Sequence, residues 1–432
     1  MRRMARSSRA VSFLIPLIAA LAAPSVADAQ QPKPRPVPIP PKRDTVVVYR
    51  VDTVYRRTKS AAISVVRGTT RGSRAALAND IMRLGAMEPL PSVDDTVRAP
   101  IEYVAIPVHY ATRRRIAGRL ADPEQYYGKD DDTLKYGLAT VTIPAQRRPG
   151  TADGRGWCRF RPGPLACAKT SAHSVLVSSL TPLRADEWLA RLGQRIDTTV
   201  IPADVLIFVH GFNNDNADVF HRAAQVAYDA GFNGAVLAYD WASRGELASY
   251  TADEATAERS VPDFARFLRR VADSTHTARI AIVAHSMGTR LVSYALRDLG
   301  AAATAFRIDQ VIFAAADIDS ATFVDQLAAP VTRSSRHVTL YASRRDHALQ
   351  ASADLVHRAP RVGGGPPSVI IRTGADYVDA SSIDTDLIGH GYFAENKELL
   401  DDIFLILRHG FPADDRNLRR VLATGGVYYQ LR

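Results

Sequence analysis

From Val205 onward the hydrophobic pattern alternates between two periods. Six short runs, "VLIFVH", "GAVLAYDW", "RIAIVA", "QVIFAAAD", "HVTLYAS" and "SVIIRT", are apolar at nearly every position. The stretches between them carry helical patterns, predicting helices over 217–230, from about 252, and over 287–299, 320–327, 348–355 and 396–408. Strands apolar on both faces and alternating with helices predict an α/β fold, a mostly parallel sheet covered on both sides. In such sheets ligands bind beyond the carboxyl ends of the strands.

Upstream the signals are β: "IEYVAIPVHYA", "YGLATVTIPA" and "HSVLVSSL", followed by a helix in "RADEWLARLGQRI". These strands precede the alternating region. Further back, "TVVVYRVDTVYRR" suits a strand and "GSRAALANDIMRLGAM" a short helix. "QQPKPRPVPIPPKRD" is Pro-rich and reads as a stiff, extended spacer.

The first residues change the reading of composition. Arg2, Arg3, Arg6 and Arg9 precede an apolar run from Val11 to Ala23, and a small-x-small site, Ala27-Asp28-Ala29, follows. That order is the pattern of a secretory signal peptide. The predicted organisation is therefore a signal peptide over 1–29, a Pro-rich linker over 30–44, an N-terminal extension over 45–100, the main domain over 101–412, and a tail over 413–432. The expected location is outside the cytoplasm, periplasmic or secreted. Peripheral association with the envelope is compatible with this reading. Oligomeric state is left open.

Cleavage would remove four Arg and one Asp, lowering the formal charge from +10 to +7. The rest is scattered. Its densest cluster, "TRRR" (Thr112 to Arg115), reads as a solvated surface and not as a nucleic-acid or anionic-lipid patch. "KDDDTL" (Lys129 to Leu134) lacks the ligand spacing of a calcium loop and reads as a solvated loop. Outside the cytoplasm the two cysteines, Cys158 and Cys167, read as a disulfide, because "CRFRPGPLAC" folds them back through a Pro-Gly turn.

The chemistry concentrates at "VAHSMG" (Val283 to Gly288), where an apolar run ends at His285-Ser286 and a helical stretch begins at once. A strand turning straight into a helix exposes its junction residue at the top of the sheet and needs small neighbours. The motif resembles a nucleophile elbow with Ala284 in place of the first Gly. A plain helix N-cap is the competing reading of Ser286. "FVHGF" (Phe208 to Phe212) ends an earlier strand where an oxyanion loop is usually found, so the amides of Phe212 and Met287 are candidates for that role. His210 reads as structural there. Tyr239 and Trp241 either line the pocket or pack beneath it.

Chain order adds an acid and a base after the serine. Asp346 follows "HVTLYAS", and His390, in "LIGHGYF", is the His in the loop before the last helix. Asp317, after "VIFAAA", is a rival acid. No phosphate-binding loop, H-E-x-x-H or paired-cysteine zinc spacing is present, so no cofactor is implied.

With "FVHGFNN", "YDWASRG", "AHSMGTRL", "AAADID", "TLYASRRDHAL" and "DLIGHGYF", and upstream "HYATRRR" and "YGLATVTIP", the chain resembles the α/β-hydrolase superfamily. More closely it is similar to the bacterial esterase/lipase-like family called domain of unknown function 900. The resemblance implies Ser286 as nucleophile, His390 as base and Asp346 as the group orienting that base. The expected activity is hydrolysis of a small-molecule or lipid carboxylic ester. The alternatives are acyl transfer, thioester or amide cleavage with the same residues, or a hydrolase scaffold reused for binding.

Overall fold

A computed structural model describes residues 103–145, 147, 175–197, 204–244, 249–274, 279–306, 308–364, 374–383, 396–423 and 426–432. The predicted signal peptide, the Pro-rich segment, the predicted extension over 45–100, Cys158, Cys167, the predicted "SVIIRT" strand and His390 lie outside these residues.

The described residues form eleven strands, β1 (Tyr103–Ile116), β2 (Tyr127–Pro144), β3 (Leu176–Leu183), β4 (Val205–Val209), β5 (Ala235–Asp240), β6 (Ile280–His285), β7 (Ile308–Ala314), β8 (Ser335–Ala342), β9 (Asp376–Asp379), β10 (Arg419–Ala423) and β11 (Gly426–Gln430). They form one sheet in the order β10-β11-β9-β8-β7-β6-β4-β5-β1-β2-β3. Pairing is parallel from β11 through to β1 and antiparallel at both ends.

Every residue of β4 and β5 is buried, as are the first five of β6. That burial needs cover on two faces. Val205, Ile207 and Val209 join a core with Ile280 and Ile282, whereas Leu206 and Phe208 join a second core with Val283. The first core is roofed by helices α1 (Ala185–Asp197), α2 (Val261–Ser274) and α3 (Met287–Leu299), through Trp188, Phe264, Phe267 and Leu291. The second is covered by the helices Asn216–Asp229 and Lys397–His409, through Val219, Phe220, Leu399 and Ile403.

The central helices match the sequence pattern closely, with two differences. The helix expected from about 252 is two helices, Tyr250–Arg259 and α2, divided at Ser260, whose hydroxyl bonds back to the Thr256 carbonyl at 2.8 Å. Beyond β7, Ser320–Thr322 runs through a π-helical turn, Phe323–Leu327, into a helix at Ala328–Ser334. The last twenty residues include the β10–β11 hairpin, which joins the sheet by pairing with β9.

Two readings of the upstream strands are corrected. "KDDDTL" is not a loop but part of the long strand β2. "TRRR" is not a solvated patch: Thr112, Arg113 and Arg114 are buried and only Arg115 is exposed. Arg113 pairs with Asp263 on α2 and, at 3.4 Å, with Asp130. Arg114 pairs with Asp240 at the end of β5, at 2.8 Å. Carboxylates supplied from 126 and 150 residues away turn a surface-like cluster into buried ion pairs. Removing one partner of such a pair costs about 3–5 kcal/mol.

β1 also buries His109, whose ring meets the Trp188 ring edge-on at 6.1 Å and whose Nδ1 has no hydrogen-bond partner. Burial, reinforced by the charges of Arg195 and Arg191, pushes its pKa down to about 4. The unfolded chain protonates this group near pH 6.5, so stability is intact above 6.5 and is lost as pH falls through 4. We expect His109→Leu to flatten the unfolding free energy over this window by about 3 kcal/mol relative to wild type. Urea unfolding at a series of pH values measures this, and parallel curves for the two proteins would refute it.

Candidate active site

β4 leads to β5 on one side, and β6 returns to pair with its other side. The loops leaving β4 and β6 therefore diverge at a crevice on the carboxyl edge, the place where open parallel sheets bind ligands. Ser286 stands there, between β6 and α3, with φ 50° and ψ −123°. A non-glycine residue in that region stores roughly 1–3 kcal/mol of strain. The surroundings hold it there. Its amide donates to the Ala314 carbonyl at 2.9 Å, and its carbonyl accepts from Thr289 and Asp317 amides at 3.0 and 3.3 Å. Its side chain makes no capping bond to α3, so the N-cap reading has no bond behind it.

The small neighbours are a matter of contact. A Cβ at Gly288 would sit 2.3 Å from the His210 carbonyl oxygen, and one at Gly211 would sit 2.7 Å from the Ser286 Cβ. Both backbones lie too close to tolerate a side chain. The same distances place the loop after β4 against the serine.

That loop is fixed by polar contacts. The Gly211 carbonyl accepts from His210 Nδ1 at 2.8 Å and from Asn214 Nδ2 at 3.1 Å. The Phe212 carbonyl accepts from the same amide at 2.8 Å. In a trans peptide the N–H points opposite to the C=O, so the Phe212 amide faces away from these donors. The Met287 amide opens α3, where the helix dipole favours negative charge.

His210 is structural. Its ring stacks parallel on Trp241 at 4.9 Å, and the indole N–H donates to the His210 carbonyl at 2.8 Å. Trp241 thus braces the loop from beneath. Tyr239 is fully buried, its hydroxyl donating to the Ser260 carbonyl at 3.2 Å and its ring edge-on to Phe264. Both side chains are fully buried.

The two candidate acids occupy different surroundings. Asp346 lies just beyond β8, two strands from β6, fully buried, with Oδ1 accepting from the Leu349 amide at 3.0 Å. Asp317 lies beyond β7 and is enclosed by donors. Arg361 Nε and Ser352 Oγ reach its Oδ1 at 2.7 and 2.9 Å, and the Tyr250 hydroxyl donates to Oδ2. Burial would raise its pKa, but the Arg361 charge and the hydrogen bonds from Tyr250, Arg361 and Ser352 hold it below the ordinary carboxylate range. His347 is exposed, with Nδ1 3.0 Å from Gln350 Oε1, and His285 is half-buried beside the serine.

Tyr250 was not legible in the sequence. It opens a helix after a polar stretch, with no motif to single it out. Its ring packs edge-on to Phe212 at 5.2 Å while its hydroxyl lies against Asp317, linking the loop to the β7 end. Burial and the Asp317 charge push its phenol pKa far up, so it stays a donor. Among the described residues no group of three or more His, Cys, Asp or Glu could hold a metal.

A doubly covered parallel sheet with a strained serine at the strand–helix turn beside the β4 loop defines an α/β-hydrolase fold. Residues 187–408, just over half of the chain, match the family described as alpha/beta hydrolase of unknown function (DUF900), and the chain belongs to that family. Among solved structures it is similar to a predicted CIB-like hydrolase from Thermoplasma acidophilum, at 16% identity over 50% of this chain and 90% of that one, TM-score 0.30. It is similar to a cutinase-like protein from Cryptococcus sp., at 14% identity over 48% and 95% of the two chains, TM-score 0.28. A fungal esterase from Rhizomucor miehei shares 10% identity over 81% and 95%, TM-score 0.31. No curated protein matches the chain.

Proposed function

We propose that the protein is an exported serine hydrolase that cleaves carboxylic esters. The observation that carries this is the backbone of Ser286, held at φ 50° with its hydroxyl uncommitted to the helix it precedes. In this reading His390 takes the Ser286 proton as Oγ attacks the ester carbonyl. Asp346 orients the imidazole and stabilises its cation. The Phe212 and Met287 amides receive the developing oxyanion. Collapse releases the alcohol with the proton returned by His390, and water then hydrolyses the acyl-enzyme by the same route.

The full engagement of Asp317 by Arg361, Ser352 and Tyr250 supports Asp346 for the orienting role. Acyl transfer, or thioester or amide cleavage, uses the same residues with a different acceptor or bond. A binding protein would need neither the strained serine nor a fixed amide beside it.

A fluorophosphonate probe should label the protein stoichiometrically at Ser286, and p-nitrophenyl esters of graded chain length should be turned over. An unlabelled serine overturns the reading. The export proposal rests on the ordered charged, apolar and small-residue segments of residues 1–29. Protein recovered from its native source should begin near residue 30 by intact mass; a chain still carrying Met1 would reject export.

A further inference from the structure

We propose that Arg114, contributed by the N-terminal strand β1, is a positioning residue for the oxyanion-binding loop. The inference rests on the esterase reading and adds to it a residue that lies upstream of the matched family segment 187–408.

Arg114 is buried, its side chain only 4% exposed, and its guanidinium reaches β5, the segments after β4 and β5, and, through Nη1 at 3.3 Å, the Gly128 carbonyl of β2. Nε donates to Asp240 Oδ1 and Oδ2 at 2.8 and 2.9 Å. Nη1 donates to the Ser243 carbonyl at 2.6 Å, and Nη2 to the Asn214 carbonyl at 2.9 Å. Asn214 is the residue whose side-chain amide holds the Gly211 and Phe212 carbonyls. One path from Arg114 thus runs directly into the loop.

A second path runs through Asp240. This carboxylate is fully buried and also accepts from Thr112 at 2.8 Å. Its Oδ1 lies 3.2 Å from His210 Nε2, an electrostatic contact without a hydrogen bond, and the other nitrogen of that ring holds the Gly211 carbonyl. Both paths converge on the peptide whose N–H is assigned to the oxyanion. A planar fork that meets diverging acceptors can do this, whereas a lysine ammonium is a point charge that reaches one or two of them.

Arg113 provides the control. It is also buried in the same strand and ion-paired, though its side chain is 10% exposed, and its partners are Asp263, Asp130 and the Asp131 carbonyl, none of which touches the loop. Arg113→Lys and Arg114→Lys should therefore both lower the unfolding temperature. Only Arg114→Lys should slow chemistry.

The experiment compares kcat, KM and the fluorophosphonate labelling rate of both variants with wild type, at a temperature where all three are folded. Arg114→Lys should lose roughly 10- to 100-fold in kcat and in labelling rate with KM changed little, since outright loss of one oxyanion donor costs about 10²–10³. Arg113→Lys should stay within about threefold of wild type. If Arg114→Lys does not fold, the paired substitution Arg114→Gln with Asp240→Asn removes both charges together and should show the same slow labelling. Equal rates for the Arg113 and Arg114 variants, or a full-rate double variant, overturn the role of Arg114 alone. A wild-type protein that is not labelled at Ser286 overturns the esterase reading and this one with it.

Discussion

Ser286→Ala is expected to lower kcat on an activated ester by about 10⁶-fold, the scale seen when a triad serine is removed. The fold should be unaffected, because the hydroxyl makes no capping bond and the backbone bonds to Ala314, Thr289 and Asp317 do not involve the side chain. A sharper form of the test uses Ser286→Gly. Glycine adopts φ 50° without the Cβ penalty, so this variant should be inactive yet more stable than wild type by about 1 kcal/mol. Denaturant melts and kinetics on the same preparations check both halves. An Ala variant that still turns over the ester, or is still labelled stoichiometrically, removes Ser286 from the mechanism.

The acid carries the second large effect. Asp346→Asn should reduce kcat by about 10⁴-fold at neutral pH, because an amide keeps the shape but can favour the wrong imidazole tautomer. Asp346 is buried and caps the following helix, a role Asn also fills, so stability should change little. Asp317→Asn should behave in the opposite way. It leaves the Arg361 guanidinium, 2% exposed, without its counter-charge, and should destabilise the fold by about 3–5 kcal/mol while kcat falls far less. Kinetics on one ester together with thermal melts of both variants separate the two residues. The reverse ranking in kcat transfers the orienting role to Asp317.

What the sequence discloses here depends on how local the cause is. β4, β5 and β6 are visible because burial on both faces makes them apolar at every position. The elbow is visible because the strand–helix junction puts its marks close together in the chain: Ser286 at φ 50°, and Gly288 two residues on, whose missing side chain leaves room for the His210 carbonyl. Arg113, Arg114 and Tyr250 are not visible, because what defines them is a partner elsewhere. Three arginines in a row look solvated until Asp240 and Asp263 are brought alongside. The β10–β11 hairpin is hidden for a related reason. It is amphipathic only weakly, with Leu422 77% exposed, and only its contact with β9 makes it part of the sheet. The π-helical turns Phe323–Leu327 and Ser352–His357 leave no mark on an apolar period at all.

The position of β1 in the sheet bears on the order in which the molecule assembles. Val108 pairs with Val236 and Thr112 with Asp240, so the first described strand meets its parallel neighbour only after a separation of 128 residues. Closing so long a loop costs entropy that only an already formed β5 edge can repay. The β4–β5–β6 centre should therefore form first, and the β1–β2–β3 meander should dock onto it afterwards, bringing Arg114 with it. During refolding from denaturant, recovery of ester turnover should then lag behind recovery of helical circular dichroism, since the first described strand is the last to arrive.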